Sequence, residues 1–247
     1  MAIPSGVRIS SCPPCRLSFV FARSAPVVVV LRRGPSQWVE VIKWNTRDDS
    51  FEHGHWFHGR IYEGRCGLSP DGRLLVYFAM KAGCVDRSAG YEQTFTAVSR
   101  PPYLTALAMW PTGGTYGGGG RFIDDRTLRL AYGKHRSFFP GPRRHTEIAM
   151  GPLPSHHPNH PPTGLRICTN LDHYASGEGF GHFGVRPPEA DWYGRDHADR
   201  PIFARRGKLY QTDPDANEIL MKDFNHDEVR LIESPAWARE WGWDQTF

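Results

Sequence analysis

Residues 64–79, GRCGLSPDGRLLVYFA, contain a short strand, a tight turn and a strongly apolar second strand. In the turn, Pro70 presets its own φ, the Asp71 side chain hydrogen-bonds to nearby backbone, and Gly72 takes a conformation that other residues resist. Residues 74–78 follow as an apolar run without alternation, which is typical of a strand covered on both faces. The stretch therefore predicts a β-hairpin inside a stack of sheets.

The composition extends this prediction to the whole chain. Among 247 residues there are 26 glycines, 21 prolines and 13% aromatic residues, a profile of many short strands joined by turns. All-β folds of this length commonly form one domain. We therefore expect residues 1–247 to be a single β-rich domain, with residues 1–16 as an N-terminal stub and residues 151–164 as a His/Pro-rich loop.

Charge and cysteine content limit the partners and the compartment. The net charge of +4 comes from 30 basic and 26 acidic residues that are interspersed rather than blocked, so we expect no nucleic-acid partner. No stretch approaches the roughly 20 apolar residues that cross a bilayer, so we expect no membrane partner. Five cysteines at irregular spacing and the lack of a secretory signal pattern predict a cytoplasmic location.

Two later stretches, residues 119–132 and 191–211, also place an aspartate turn before an apolar strand. Repeated hairpins predict small antiparallel sheets that cover one another, as in a β-propeller. A blade of about 40–50 residues gives roughly five or six sheets for this chain. An irregular β-sandwich is the alternative fold. Only residues 235–241 are expected to form a short C-terminal helix.

The strand, SPDG turn and strand of residues 66–79 resemble the repeat of TolB-like and related β-propellers. The two later copies keep only the aspartate turn and the strand that follows it. The resemblance covers about a third of the chain and implies the propeller arrangement.

Two groups of histidines and one cysteine pair are candidate metal ligands. On an alternating strand His53 and His55 would share a face, and His173, with Asp172 or Glu178 as base, would complete a hydrolytic metal centre. Nothing in the sequence shows that these segments meet. We therefore expect no cofactor, with zinc or another divalent metal as the alternative.

The other candidate ligands are weaker. Cys12 and Cys15 have the spacing of half a zinc or redox site and lack a second pair. The prolines around His156, His157 and His160 prevent the helix that would put two imidazoles on one face, so that tract is expected to be a surface loop.

Aromatic residues at strand ends and in glycine-rich loops supply the candidate binding surface. They are Tyr116, Phe180, Phe183, Trp56 and Phe57.

The leading hypothesis is a non-enzymatic interaction or scaffolding module that binds another protein through the loops of one propeller face. The chain is expected not to be an enzyme, because no complete catalytic constellation occurs. The first alternative is the metal-dependent hydrolase or lyase at His53, His55 and His173. The second is carbohydrate binding or glycoside cleavage with Asp71, Asp125 and Asp196 at the propeller centre.

Overall fold

A computed structural model of the chain describes residues 13–34, 36–83, 93–112, 114–131, 165–170 and 186–241. These residues form sixteen strands in four small sheets, so the predicted all-β fold is confirmed. Two short 3-10 helices, Glu63–Arg65 and Ala236–Arg239, complete the secondary structure of this part of the chain. The second lies inside the stretch predicted to be helical.

Sheets I and IV are antiparallel meanders in which each strand pairs with the next along the chain. Sheet I consists of β1 (Arg16–Phe21), β2 (Val27–Arg33), β3 (Trp38–Asn45) and β4 (Ser50–His58). Sheet IV consists of β13 (Trp192–Arg195), β14 (Pro201–Arg205), β15 (Lys208–Thr212) and β16 (Glu218–Asp223).

Sheets II and III lie between these two in the sequence. Sheet II consists of β5 (Arg60–Ile61), β6 (Gly67–Leu68), β7 (Leu75–Met80), β8 (Thr94–Ser99) and β9 (Ala108–Pro111). Strands β5 and β6 pair with opposite ends of β7, and all strand pairs of sheet II are antiparallel. Sheet III consists of β10 (Gly120–Asp124), β11 (Thr127–Ala131) and β12 (Arg166–Asn170), with β11 and β12 parallel.

Three apolar cores fix the order of the sheets as IV, I, II, III. One core joins sheets I and IV, the second joins sheets I and II, and the third joins sheets II and III. On β7, Leu75 and Tyr77 enter the second core while Val76 and the preceding Leu74 enter the third. The strand predicted to be covered on both faces is therefore covered on both. The described residues form four sheets, whereas a sandwich has two.

Equivalent turns of neighbouring sheets contact one another at one end of the molecule. Each of these turns follows β1, β6, β10 or β13 and leads into the next strand of the same sheet. His197 donates to the Ala22 carbonyl at 2.7 Å, and the Ser24 amide donates to the Pro70 carbonyl at 2.9 Å. The contacts follow the same order, IV to I to II, as the cores. We call this set of contacts the ring of turns.

The ring of turns continues to sheet III. The Asp71 amide donates to the Asp125 carboxylate at 2.8 Å, and Arg23 donates to the Phe122 carbonyl at 3.2 Å. The SPDG turn closes as its residue types predict, with the Gly72 amide bonded to the Ser69 carbonyl at 2.9 Å and Gly72 at φ +75°.

Residues 224–241, which we call the C-terminal segment, run from sheet IV across sheet I to sheet II. Phe224 is buried in the core between sheets I and IV. Further along, the Ser234 hydroxyl contacts Thr105, and Arg100 donates to the Trp237 carbonyl at 2.7 Å. In the described part of the chain no helix has the length and apolar character that would span a membrane.

Candidate functional site

A polar cavity of about 340 Å³ lies where β1 begins. Its lining comes from sheets I and II and from the residue that precedes sheet IV, and its charged members are Arg16, Arg33, Glu63 and Asp191. Aliphatic side chains of sheets I and II complete the lining. Because β1 runs from this cavity to the ring of turns, the two features lie at opposite ends of the sheets.

Two arginines dominate one side of the cavity. Arg16 and Arg33 are direct partners in the register of β1 and β2, which brings like charges opposite each other and destabilises the pair. Within the described residues neither guanidinium has a hydrogen bond or an ion pair. The Asp191 carboxylate accepts from the Arg206 amide at 2.8 Å, so one of its oxygens is already used. Among the described residues, the cavity thus presents two guanidinium groups without a direct ion pair, in a lining that also contains the carboxylates of Glu63 and Asp191.

The structure separates His53 from His55, which we predicted to act on one face. The pairing of β3 with β4 shifts between Glu40 and Ile42, so β4 carries a bulge between the two histidines. Gly54 stands at this bulge because a Cβ there would lie 2.1 Å from the Pro102 carbonyl oxygen. The bulge turns the two imidazoles to different partners.

His55 is buried, and both of its ring nitrogens are engaged. Its Nδ1 accepts from the Leu104 amide at 3.0 Å, and its Nε2 lies 3.3 Å from the Ser234 hydroxyl. Burial lowers the pKa of His55 below its ordinary value. This neutral, engaged imidazole holds segments together. The third predicted ligand, His173, lies outside the described residues, as do Asp172 and Glu178.

His53 belongs to a different cluster. Its Nδ1 lies 2.9 Å from the Glu40 carboxylate on β3, and donor atoms of His53, Glu40 and Asp227 all lie within 4.8 Å of one another. Arg32, buried beside them, donates to the Phe224 carbonyl at 2.9 Å and to the Asp227 carbonyl at 3.1 Å. We call Arg32, Glu40, His53 and Asp227 the buried polar cluster.

The aromatic residues that were predicted to form one binding surface differ in exposure in the structure. Trp56 and Phe57 are each only 3% exposed, because Phe57 packs in the core between sheets I and II and Trp56 lies under the Arg32 guanidinium. Neither ring is placed to meet a partner. Tyr116 is 81% exposed. Phe180 and Phe183 lie outside the described residues.

The remaining candidates have structural roles where the structure describes them. Cys15 is buried, and burial raises the pKa of its thiol to about 11, which keeps it protonated at neutral pH. Its predicted partner Cys12 and residues 151–164 lie outside the described part of the chain.

The three turn aspartates are also engaged. Asp71 accepts from the Ser69 hydroxyl at 2.6 Å, Asp125 accepts from the Asp71 amide, and Asp196 accepts from the Ala198 amide at 2.9 Å. These carboxylates close turns and join sheets.

Sequence reasoning missed both the arginine pair and the buried polar cluster. The cross-strand register that pairs Arg16 with Arg33 follows from the length of the turn between β1 and β2. Asp227 follows the last strand and has no local pattern that marks it. Comparisons of the chain with protein-family models, curated proteins and solved structures find no match.

Proposed function

We propose that this chain is a non-enzymatic recognition module of β-propeller type that binds an acidic segment of another protein at the cavity where β1 begins. The observation that carries the proposal is the pair of guanidinium groups, Arg16 and Arg33, that face each other without an anionic partner in the described residues. Guanidinium groups bind carboxylates through paired, charge-assisted hydrogen bonds.

The arrangement of the sheets supports the propeller. The cores follow one another in the order IV, I, II, III, and the turns at equivalent positions of the sheets are bonded in the same order. Small sheets that cover each other in sequence and meet through equivalent turns are the pattern of a propeller. The full number of blades, five or six from the sequence, stays a prediction.

The location of the cavity supports the binding surface. The turns at the other end of the sheets bond to one another, which uses their polar groups internally. The end where β1 begins instead contains the cavity, whose volume of about 340 Å³ is within the range of pockets that receive ligand groups. An acidic side chain or a terminal carboxylate of a partner protein fits the two guanidinium groups and the volume of the cavity.

The two alternatives stay predictions. A hydrolase at His53, His55 and His173 receives no support from the described residues, since His55 is already engaged by Leu104 and Ser234. Glycoside cleavage by the three turn aspartates receives none either, because these carboxylates hold turns. The thiols of Cys15, which is buried, and of Cys66, which is partly buried, form no disulfide, and this is compatible with the proposed cytoplasmic location.

The first test uses a probe of defined chemistry. Fluorescence anisotropy would measure the binding of a hexaglutamate peptide to the purified chain, with a hexalysine peptide as the opposite charge. We expect salt-sensitive binding of hexaglutamate that weakens at least about tenfold in the double variant Arg16→Ala/Arg33→Ala, because two charge-assisted contacts are lost. The matched control is Arg47→Ala/Arg230→Ala, which removes two exposed arginines elsewhere.

The second test uses natural partners. Co-precipitation with quantitative mass spectrometry would compare proteins captured by the unmodified chain and by the same two double variants. Proteins retained by the control and lost with Arg16→Ala/Arg33→Ala support the proposal. Equal loss in both double variants, or equal retention, contradicts it, as does hydrolysis of small substrates by the purified chain.

A further inference from the structure

Two carboxylate oxygens of the buried polar cluster lack a partner in the part of the chain that the structure describes. Oε2 of Glu40 and Oδ2 of Asp227 are both buried and have no hydrogen bond within the described residues. The Glu40 side chain is only 2% exposed. An ionised carboxylate that is withdrawn from water is costly unless hydrogen bonds or a cation compensate it.

The basic groups of the cluster do not compensate these oxygens. Arg32 directs its guanidinium to the backbone carbonyls of Gly34, Phe224 and Asp227. His53 reaches Oε1 of Glu40 at 2.9 Å, and a proton on this nitrogen serves that oxygen alone.

The net charge of the cluster also favours a bound cation. Two carboxylates and one guanidinium leave one negative charge uncompensated when His53 is neutral. A cation that contacts both carboxylates satisfies the charge and the oxygens together.

We propose that Glu40, His53 and Asp227 form a binding site for a divalent transition-metal ion of the zinc and manganese class. Each residue offers one donor atom, and the three donors lie within 4.8 Å of one another. Donors around one ion at metal–ligand distances of about 2.0–2.2 Å lie up to about 4.4 Å apart, so small side-chain movements complete the site.

The donor set decides the class of metal. One imidazole nitrogen with two carboxylates suits zinc and manganese, whereas calcium and magnesium prefer shells made only of oxygen. The His53 side chain is one-third exposed, which leaves a path for a water molecule to a fourth coordination position.

The site joins three segments of the chain. Glu40 is on β3, His53 is on β4 and Asp227 is on the C-terminal segment, so a bound ion fastens that segment to sheet I. The metal therefore stabilises the fold, independently of the cavity at the start of β1. Failure of the peptide-binding test leaves this site unaffected.

The experiment measures metal binding by the full purified chain. After chelator treatment and dialysis, isothermal titration with ZnCl₂ and with MnCl₂ gives the stoichiometry and affinity, and CaCl₂ serves as the comparison ion. Thermal unfolding with and without each ion measures the linked stabilisation. We expect one ion per chain and a higher melting temperature with zinc or manganese.

Two ligand variants and one matched control make the test specific. Asp227→Asn and Glu40→Gln should each weaken binding at least tenfold and abolish the rise in melting temperature. Glu52→Gln, next to His53 on the same strand but with an exposed carboxylate, should behave like the unmodified chain. Circular dichroism of the metal-free proteins checks that each variant is folded, and Asp227→Asn provides the test if Glu40→Gln fails to fold.

Three results would overturn the proposal. The first is no binding of zinc or manganese. The second is binding that Asp227→Asn leaves unchanged. The third is tighter binding of calcium than of zinc and manganese.

Discussion

His55 shows how one buried side chain connects distant parts of this fold. A backbone amide is only a donor, so the bond from Leu104 fixes Nδ1 as an acceptor and places the proton of the neutral ring on Nε2. That nitrogen faces Ser234 of the C-terminal segment, and the ring packs edge-on against Tyr103 at 5.4 Å. Charging the ring would remove the acceptor and introduce a buried cation.

This arrangement predicts a pH dependence of stability. Burial lowers the pKa of His55 in the folded state, so below about pH 6.5 the unfolded chain binds a proton that the folded chain does not. The free energy of unfolding should fall as the pH falls from about 6.5 toward the lower folded-state pKa, by up to about 1.4 kcal/mol per pH unit from this group. Urea unfolding at pH 7.5, 6.5 and 5.5 measures it.

Two variants isolate the contribution of His55. His55→Gln replaces the ring with a group that does not titrate, so its stability should vary less with pH over this range. His58→Gln changes an exposed histidine on the same strand and should keep the dependence of the unmodified chain. An equal dependence in His55→Gln and the unmodified chain would refute this explanation.

At the scale of elements, the hairpin of β13 and β14 is attached to sheet I through Arg200. Its guanidinium donates to both Asp49 oxygens, at 2.7 and 2.8 Å, and to the Asp196 carboxylate at 2.5 Å. The hydrogen bonds to Asp49 raise the pKa of Arg200, and the same contact lowers the pKa of Asp49. The planar guanidinium of arginine, with its several donors, is needed because one side chain must bind a turn on each of the two sheets.

Arg200→Lys should therefore destabilise the fold even though it keeps the charge. Loss of the paired bonds to Asp49 is expected to cost about 1.5–3 kcal/mol in the free energy of unfolding, measured with urea at neutral pH. Arg195→Lys, which changes an exposed ion pair with Asp199, should cost less than about 0.5 kcal/mol. Equal effects of the two substitutions would show that the attachment contributes no more than an ordinary surface pair.

Elements with local signals were predictable from the sequence. The SPDG hairpin and the strand after it carry their own turn chemistry and apolar run. Strand β8 was missed, because its threonines resemble surface residues. In the structure the Thr96 hydroxyl accepts from the Gly119 amide at 2.7 Å, so a tertiary bond makes its burial possible.

The candidate sites were less predictable because they also depend on contacts between distant parts of the chain. Strand alternation places His53 and His55 together, but the bulge at Gly54 is set by the Pro102 carbonyl from another sheet. Asp227 lies near Glu40 because the C-terminal segment, which follows sheet IV, runs across sheet I. Neither contact leaves a trace in the nearby sequence.

At the scale of the whole molecule, the two central sheets differ from the outer ones. Sheets I and II each contribute to two of the described cores, whereas sheets III and IV each contribute to one. Interior strands of a sheet that is covered on both faces open only when the whole structure opens. Strand β16 lies at the edge of sheet IV and exposes Ile219 and Leu220.

Hydrogen exchange should reproduce this hierarchy. The exchange is measured by mass spectrometry at a series of low denaturant concentrations. The amides of β2 and β7 should exchange last and together, with an opening free energy equal to that of global unfolding. Amides of β16 and β10 should exchange earlier through local opening. Separate exchange of β2 and β7, at clearly different free energies, would mean that sheets I and II unfold independently.

The path of the C-terminal segment also affects the order in which the protein matures on the ribosome. Sheet I is translated before sheet IV, yet the carbonyls that accept from Arg32 at Phe224 and Asp227 and the hydroxyl that contacts His55 belong to residues translated after sheet IV. Domains generally begin to fold during synthesis from the N-terminal side. A nascent chain of this protein therefore holds an incomplete sheet I until the C-terminal segment emerges, and premature termination before residue 224 leaves a product whose buried Arg32 has lost two of its carbonyl partners.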